Sequence, residues 1–158
     1  RKFIKSLMVL GITTTSEVVL AHDLTWKPIH YMGELTCKCG CGTTEMDKDF
    51  MIRLERIREE WYKQSNKVLK VSSGYRCKSH NRRVSKYAAK DGSGPHTLGK
   101  AIDITISGKD ATRLYKIAKK HMTGIGISKR YIHLDSLTSE EAPRPTVWRY
   151  TSLSVTAI

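Results

Sequence analysis

No apolar run in the 158 residues approaches the roughly 20 that a membrane-spanning helix requires, so the sequence offers no helical span of that kind. It also lacks internal repeats and low-complexity segments, which argues against a repeat array or a disordered linker. Acidic residues are scarce: 15 Asp and Glu stand against 28 Lys and Arg, a formal net charge of +13. Such a surface attracts polyanions, and the candidates are nucleic acid, anionic lipid headgroups and the anionic polymers of a bacterial cell wall. Charge alone does not choose among them. What remains, 39% hydrophobic and 27% charged residues over this length, is the composition of one globular domain long enough to bury a real core.

The first residues, "RKFIKSLMVLGITTTSEVVLAHD", pair a cationic start with an apolar stretch, the outline of a secretory signal. Glu17 and the run Thr13, Thr14, Thr15 interrupt the apolar part, which favours a strand or arm that packs on the domain. Residues 1–33 are therefore read as an N-terminal arm or extension, 34–150 as the domain and 151–158 as a C-terminal tail.

Over residues 47–61 the apolar residues Phe50, Leu54, Ile57 and Trp61 recur at spacings of four, three and four, and "ERIREE" keeps the other face charged, which predicts an amphipathic helix. "KVLKVSSGYR" reads as a strand running into a Ser-Gly turn, and "KSHNRRVSKYAAK" as a short basic helix. A further helix is predicted over residues 110–121, with Ala111, Leu114, Tyr115 and Ala118 on one face. "TGIGIS" and "YIHLDS" predict two short strands. "SEEAPRPTVWRY" predicts a loop whose Trp148 and Tyr150 are expected to close over the core. This order of helices and strands makes α+β the natural fold class.

In "AIDIT" a strand sends alternate side chains to opposite faces, so Ile102, Ile104 and Ile106 go one way and Ala101, Asp103 and Thr105 the other. The same parity in "YIHLD" buries Ile132 and Leu134 and leaves Tyr131, His133 and Asp135 together on the opposite face. His96, in a loop stiffened by Pro95, adds a second imidazole. Two imidazoles and one carboxylate suit a borderline-soft dication such as zinc, and three protein ligands leave one position open, the pattern of catalytic rather than structural zinc. Each residue also has an ordinary structural use: His96 capping a turn, Asp103 paired with a lysine, His133 as a satisfied core histidine.

Four blocks in this order and spacing, "SSGYRCKSHN", "GPHTLGKAIDI", "GIGISKRYIHLD" and "PRPTVWRY", resemble the zinc D-Ala-D-Ala carboxypeptidases and related peptidoglycan L,D- or D,D-peptidases over roughly residues 34–150. "CKCGC" upstream looks like the version often carried by bacteriophages. The resemblance implies a small antiparallel sheet flanked by helices, with a single zinc site on the sheet face. It implies that His96, Asp103 and His133 are the zinc ligands and that Arg76 of "SGYR" binds substrate or stabilises a developing oxyanion. The implied function is a zinc metallopeptidase that hydrolyses peptidoglycan stem peptides, as carboxypeptidase or endopeptidase. Phage or bacterial origin would place it in the cell wall or periplasm, or in a virion beside other virion proteins, with anionic wall polymers as further partners.

One position departs from that pattern. Better-known members place an acidic residue three positions ahead of the third ligand as general base, whereas this chain has Arg130. Asp135 is then the candidate catalytic base, or else the carboxylate that orients His133. Ser93 and Tyr131 are further candidates to touch substrate. Arg130 also keeps a binding module open, because the hedgehog signalling domain resembles this fold, keeps a segment like "PHTLGKAIDIT" and has no peptidase role. A nucleic-acid-binding reading rests on charge alone. "SHNRR" around His80 is faintly like nuclease motifs, but its spacing from "SGYR" belongs to the peptidase pattern. Cys37, Cys39, Cys41 and Cys77 are open to a second, structural metal site, to disulfides or to use as free thiols; the C-x-C-x-C spacing is tighter than the usual C-x2-C knuckle, which favours cysteines that are free or paired.

Overall fold

Phe50, Leu54, Ile57 and Trp61 form the buried face of helix α2 (Lys48–Ser65), with Met51 and Arg58 beside them. A computed structural model describes residues 32–150 and 155–157 of the chain. Asp47 starts α2, its Oδ1 accepting the backbone N–H of Phe50 at 2.8 Å, a cap worth about 1 kcal/mol. Asn66 ends it in the left-handed region at φ 53°. Helix α4 (Gly108–Ala118) begins two residues earlier than predicted and buries Leu114, Ile117 and Ala118. The short α1 (Met32–Leu35) and α3 (Lys78–Val84) complete the helices among the described residues. Helix α3 stops earlier than the predicted basic helix, because buried Asn81 donates from Nδ2 to Gly92 O at 2.9 Å and ties the following loop back against it.

The strands are β1 (Val71–Ser73), β2 (Ala101–Thr105), β3 (Gly124–Ile127), β4 (Tyr131–Asp135), β5 (Thr146–Tyr150) and β6 (Val155–Ala157). They form one sheet in the order β1-β2-β4-β3-β5-β6. The α+β class holds. Every pairing is antiparallel except β3 with β5, which is parallel, so the sheet is mixed. The exception follows from the connection. The end of β4 lies beside the start of β3 at the pair Asp135 and Gly124, and β5 is entered at that same end, where Thr146 pairs with Gly124.

The strand parities separate the two faces of this sheet. Ile102, Ile104, Ile125, Ile132 and Leu134 are almost fully buried and join α2 and α4 in one core. Each such side chain contributes about 1.5–3 kcal/mol by leaving water. Val147 is the β5 residue that packs against this core. Trp148 and Tyr150 do not: they line the opposite face, because alternation along β5 sends them away from Val147. The C-terminal tail is also more than a tail, since residues 155–157 pair with β5 as an edge strand. The signal reading and residues 1–31 of the arm read over 1–33 lie outside the described residues, and the arm's last two residues, Met32 and Gly33, open α1. No described helix is long and apolar enough to cross a membrane.

Candidate metal centre

A single row of paired residues crosses the sheet from β1 to β5: Ser73, Asp103, His133, Gly126, Trp148. A bulge between Val71 and Ser73 shifts β1 so that Ser73 stands beside Asp103. Because register partners share a face, the isoleucines that bury one side of β2 and β4 fix the carboxylate and imidazole on the other. His96 reaches this row from a 3₁₀ turn, Pro95–Leu98, which precedes β2.

The three groups meet. His133 Nδ1 lies 2.9 Å from Asp103 Oδ1, and His96 Nε2 lies 3.4 Å from the same oxygen. One ligand atom from each of the three lies within 4.8 Å of the others. His96 donates from Nδ1 to Gly74 O at 2.8 Å, which leaves the Nε2 lone pair facing Asp103. Burial lowers the His96 pKa in spite of that carboxylate. For Asp103 burial acts upward, but the hydrogen bond from His133 wins and holds it well below the usual carboxylate range.

Behind His133 stands Asp135, fully buried, with Oδ2 at 3.3 Å from His133 Nε2. Arg144 donates to both of its oxygens, Nε to Oδ1 at 2.9 Å and Nη2 to Oδ2 at 2.7 Å. The Leu137 N–H adds a third bond at 3.2 Å. Space for the carboxylate is made by Gly124, where any side chain would occupy the position of the Asp135 carboxyl. Gly126 does the same for the aromatic wall, since a Cβ there would lie 2.6 Å from the Tyr150 ring.

These residues floor a cleft of about 850 Å³. Tyr131, Trp148 and Tyr150 line one side of it, with Trp148 packed on His133 at 5.5 Å between ring centroids and Tyr131 on Tyr150 at the same distance. Arg76 also lines the cleft. Its Nη2 donates to Asp103 Oδ2 at 2.6 Å, its Nε to Ser73 Oγ at 2.8 Å and its Nη1 to Asn81 Oδ1 at 3.3 Å. One expected participant is elsewhere. Ser93 is not among the cleft-lining residues and its hydroxyl donates to Asp91 Oδ2 at 2.5 Å, a bond that serves its own loop. Arg130 is exposed in the turn before β4 and lines a separate groove with Trp61 and Lys67.

The donor set fits a tetrahedral dication. Ligand atoms around zinc at about 2.0–2.1 Å lie roughly 3.3 Å apart, and the observed 2.9 and 3.4 Å bracket that edge. Asp135 on the remote nitrogen of His133 is the outer partner that metal-bound histidines characteristically have. A family model described as Peptidase M15 matches residues 30–135, two thirds of the chain. The chain belongs to the peptidase M15 family. Comparison with curated proteins finds no match. The M15 match takes in Arg76, all three candidate ligands and Asp135, and it ends before Arg144, Trp148 and Tyr150.

Sequence reasoning missed four contributors to this M15 site. Arg144 and Trp148 sit in and after a proline-rich loop, where no periodicity assigns a face. Asn81 meets Arg76 only once the turn into α3 is formed, and the Gly74 carbonyl meets His96 through a long-range contact. The one local signal was the alternation Gly-Ile-Gly-Ile in β3, whose glycines mark the crowded side.

Proposed function

We propose that this M15 chain is a zinc peptidase that hydrolyses the peptide stems of peptidoglycan, either at a terminal D-Ala-D-Ala bond or within the stem. The observation that carries this reading is the convergence of His96, Asp103 and His133 on the floor of an open cleft, backed by Asp135 and Arg144. Zinc held by His96 Nε2, Asp103 and His133 Nδ1 would supply Lewis acidity toward a scissile carbonyl and toward water. The chain's own residues set the stage for that chemistry. The Gly74 carbonyl fixes the His96 tautomer, and Asp135 fixes that of His133. Arg76 has five N–H groups, of which Nε and one on each Nη are engaged, so one on each Nη remains for a substrate oxygen beside Asp103. A guanidinium held in place this way stabilises charge that develops on that oxygen. Tyr131, Trp148 and Tyr150 offer flat surfaces against which an extended peptide lies. The +13 charge favours association with anionic wall polymers, in a bacterial wall or from a virion.

A second reading is favoured by a specific observation. Arg130 stands where better-known relatives of the resembled group carry their base, and the two cleft-lining carboxylates among the described residues, Asp103 and Asp135, are both engaged. That composition also suits a metal-containing wall-binding or virion domain without turnover. Incubating zinc-loaded protein with purified muropeptides and weighing the products by mass spectrometry separates the two. Loss of one alanine identifies a carboxypeptidase, and stem fragments identify an endopeptidase. Muropeptides that bind and return unchanged would establish the non-catalytic domain.

A further inference from the structure

Four cysteines take no part in the cleft. Cys37, Cys39 and Cys41 stand in the loop between α1 and α2, and Cys77 follows Arg76 directly. All four are free thiols, and their sulfurs all lie within 4.8 Å of one another. Cys39 Sγ is 3.4 Å from Cys37 Sγ and 3.7 Å from Cys77 Sγ. Four sulfurs around a tetrahedral zinc at about 2.3 Å lie roughly 3.8 Å apart, so these spacings are close to the edges of such a tetrahedron.

The backbone is arranged to the same end. Cys37 N donates to Thr43 O at 2.9 Å, closing the loop on itself. Gly40 and Gly42 adopt φ of 85° and 72°, left-handed conformations that let the chain curl tightly enough for three cysteines to share one centre despite their close spacing. Cys37 Sγ accepts the N–H of Cys77 at 3.3 Å, and Cys77 Sγ accepts the N–H of His80 at 3.4 Å. Hydrophobic burial does not explain the loop's shape, since Cys37 is the one buried residue from 36 to 44. Hydrogen bonds close its two ends, Cys37 N to Thr43 O and Thr36 Oγ1 with Thr44 Oγ1 at 2.7 Å, and the sulfurs gather in the turn between them.

We propose that Cys37, Cys39, Cys41 and Cys77 bind a second zinc ion, as a closed four-thiolate structural site. Four sulfur ligands leave no position for substrate, and an S4 tetrahedral set suits zinc. The ion would clip the loop before α2 to the residue after Arg76. Neighbouring contacts run the same way: Tyr75 N donates to Leu35 O at 2.8 Å, and Gly74 lies so close to Leu35 that a Cβ would sit 2.5 Å from its Cα. The thiolate site thus holds from behind the segment that carries Arg76 and the Gly74 carbonyl.

The full chain, purified with a phosphine reductant and without chelator, should carry about two zinc ions, and a His96→Ala/Asp103→Ala/His133→Ala variant about one. Cobalt loaded into that variant should give the near-ultraviolet thiolate-to-metal absorption and the intense visible bands of a tetrahedral sulfur site. Cys39→Ser/Cys41→Ser should lose both that signal and one metal. The unmodified chain provides a check independent of any variant's folding: its thiols should resist alkylation while zinc is bound and all four should react once it is chelated. Free reaction of the thiols in zinc-loaded protein, disulfides found by alkylation under denaturing conditions, iron in place of zinc, or the absence of a thiolate-cobalt band would each overturn the proposal. None of these readouts involves peptide cleavage, so failure of the peptidase reading leaves this test intact.

Discussion

Arg144 grips Asp135 through two parallel N–H bonds of 2.9 and 2.7 Å, and the carboxylate so held is wholly buried. Burial alone would raise its pKa, but hydrogen bonds from His133 and Arg144 outweigh burial and bring it down to about 2. A carboxylate this acidic and this enclosed is a poor proton acceptor and a good orienting group. Asp135→Asn should therefore weaken metal binding by about 10- to 100-fold, with excess zinc restoring most of any turnover. A base in that position would behave differently, losing roughly 10²- to 10⁴-fold in turnover with the metal retained. Bound zinc and activity measured on one sample across a zinc titration distinguish the two.

Gly124 and Gly126 test the crowding behind the site. Gly124→Ala forces a methyl group into the space of the Asp135 carboxyl, and overpacking of this kind costs about 1–3 kcal/mol. The melting temperature and the zinc affinity should fall together. Gly126→Ala meets the Trp148 and Tyr150 rings instead, so stability should fall while metal content is kept. Gly33→Ala, with open space around it, serves as the neutral control. An unchanged melting curve for Gly124→Ala would refute the register that pairs Gly124 with Asp135.

The ligands were legible in the sequence because strand parity is local: the isoleucines of β2 and β4 need one face, and Asp103 and His133 take the other. Helix α2 was legible for the same reason, its apolar spacing matching one turn after another. The parallel pairing of β5 with β3 was not, since it joins residues whose sequence patterns carry no mark of each other. The misplacement of Trp148 has a more specific cause. Val147 and Trp148 are adjacent apolar residues, so both faces of β5 are covered, and alternation cannot tell which one faces the core. Cys77 likewise meets Cys39 only once α3 and β1 have been placed.

Arg130 is exposed at a turn and lines a groove away from the metal-site cleft. Arg130→Ala should leave zinc content unchanged and shift stability by no more than about 0.5 kcal/mol, as surface substitutions usually do. Turnover, where present, should also persist. A loss of metal or of activity would place this side chain in the site after all.

His133 sits between Asp103 and Asp135, with His96 packed against it and with Arg76 and Arg144 engaging the two carboxylates from outside. Burial pulls its pKa down, but hydrogen bonds to the two carboxylates win, pushing it from the ordinary 6.5 up to about 9 in the metal-free chain. The folded value lies above the unfolded one, so protonated His133 contributes stability that is fully present below about pH 6.5 and is lost as pH rises through about 9. The melting temperature of metal-free protein should fall across that window. Metal binding needs the Nδ1 lone pair, so zinc must displace this proton, and the apparent affinity should rise about tenfold per pH unit before levelling near pH 9. His96 adds no proton to this release, because burial already keeps its imidazole neutral there. Competition against a chromophoric chelator at a series of pH values measures the slope directly. A slope of zero between pH 7 and 9 would mean that His133 carries no proton for the metal to displace, and the arrangement of one imidazole between two carboxylates would need another explanation.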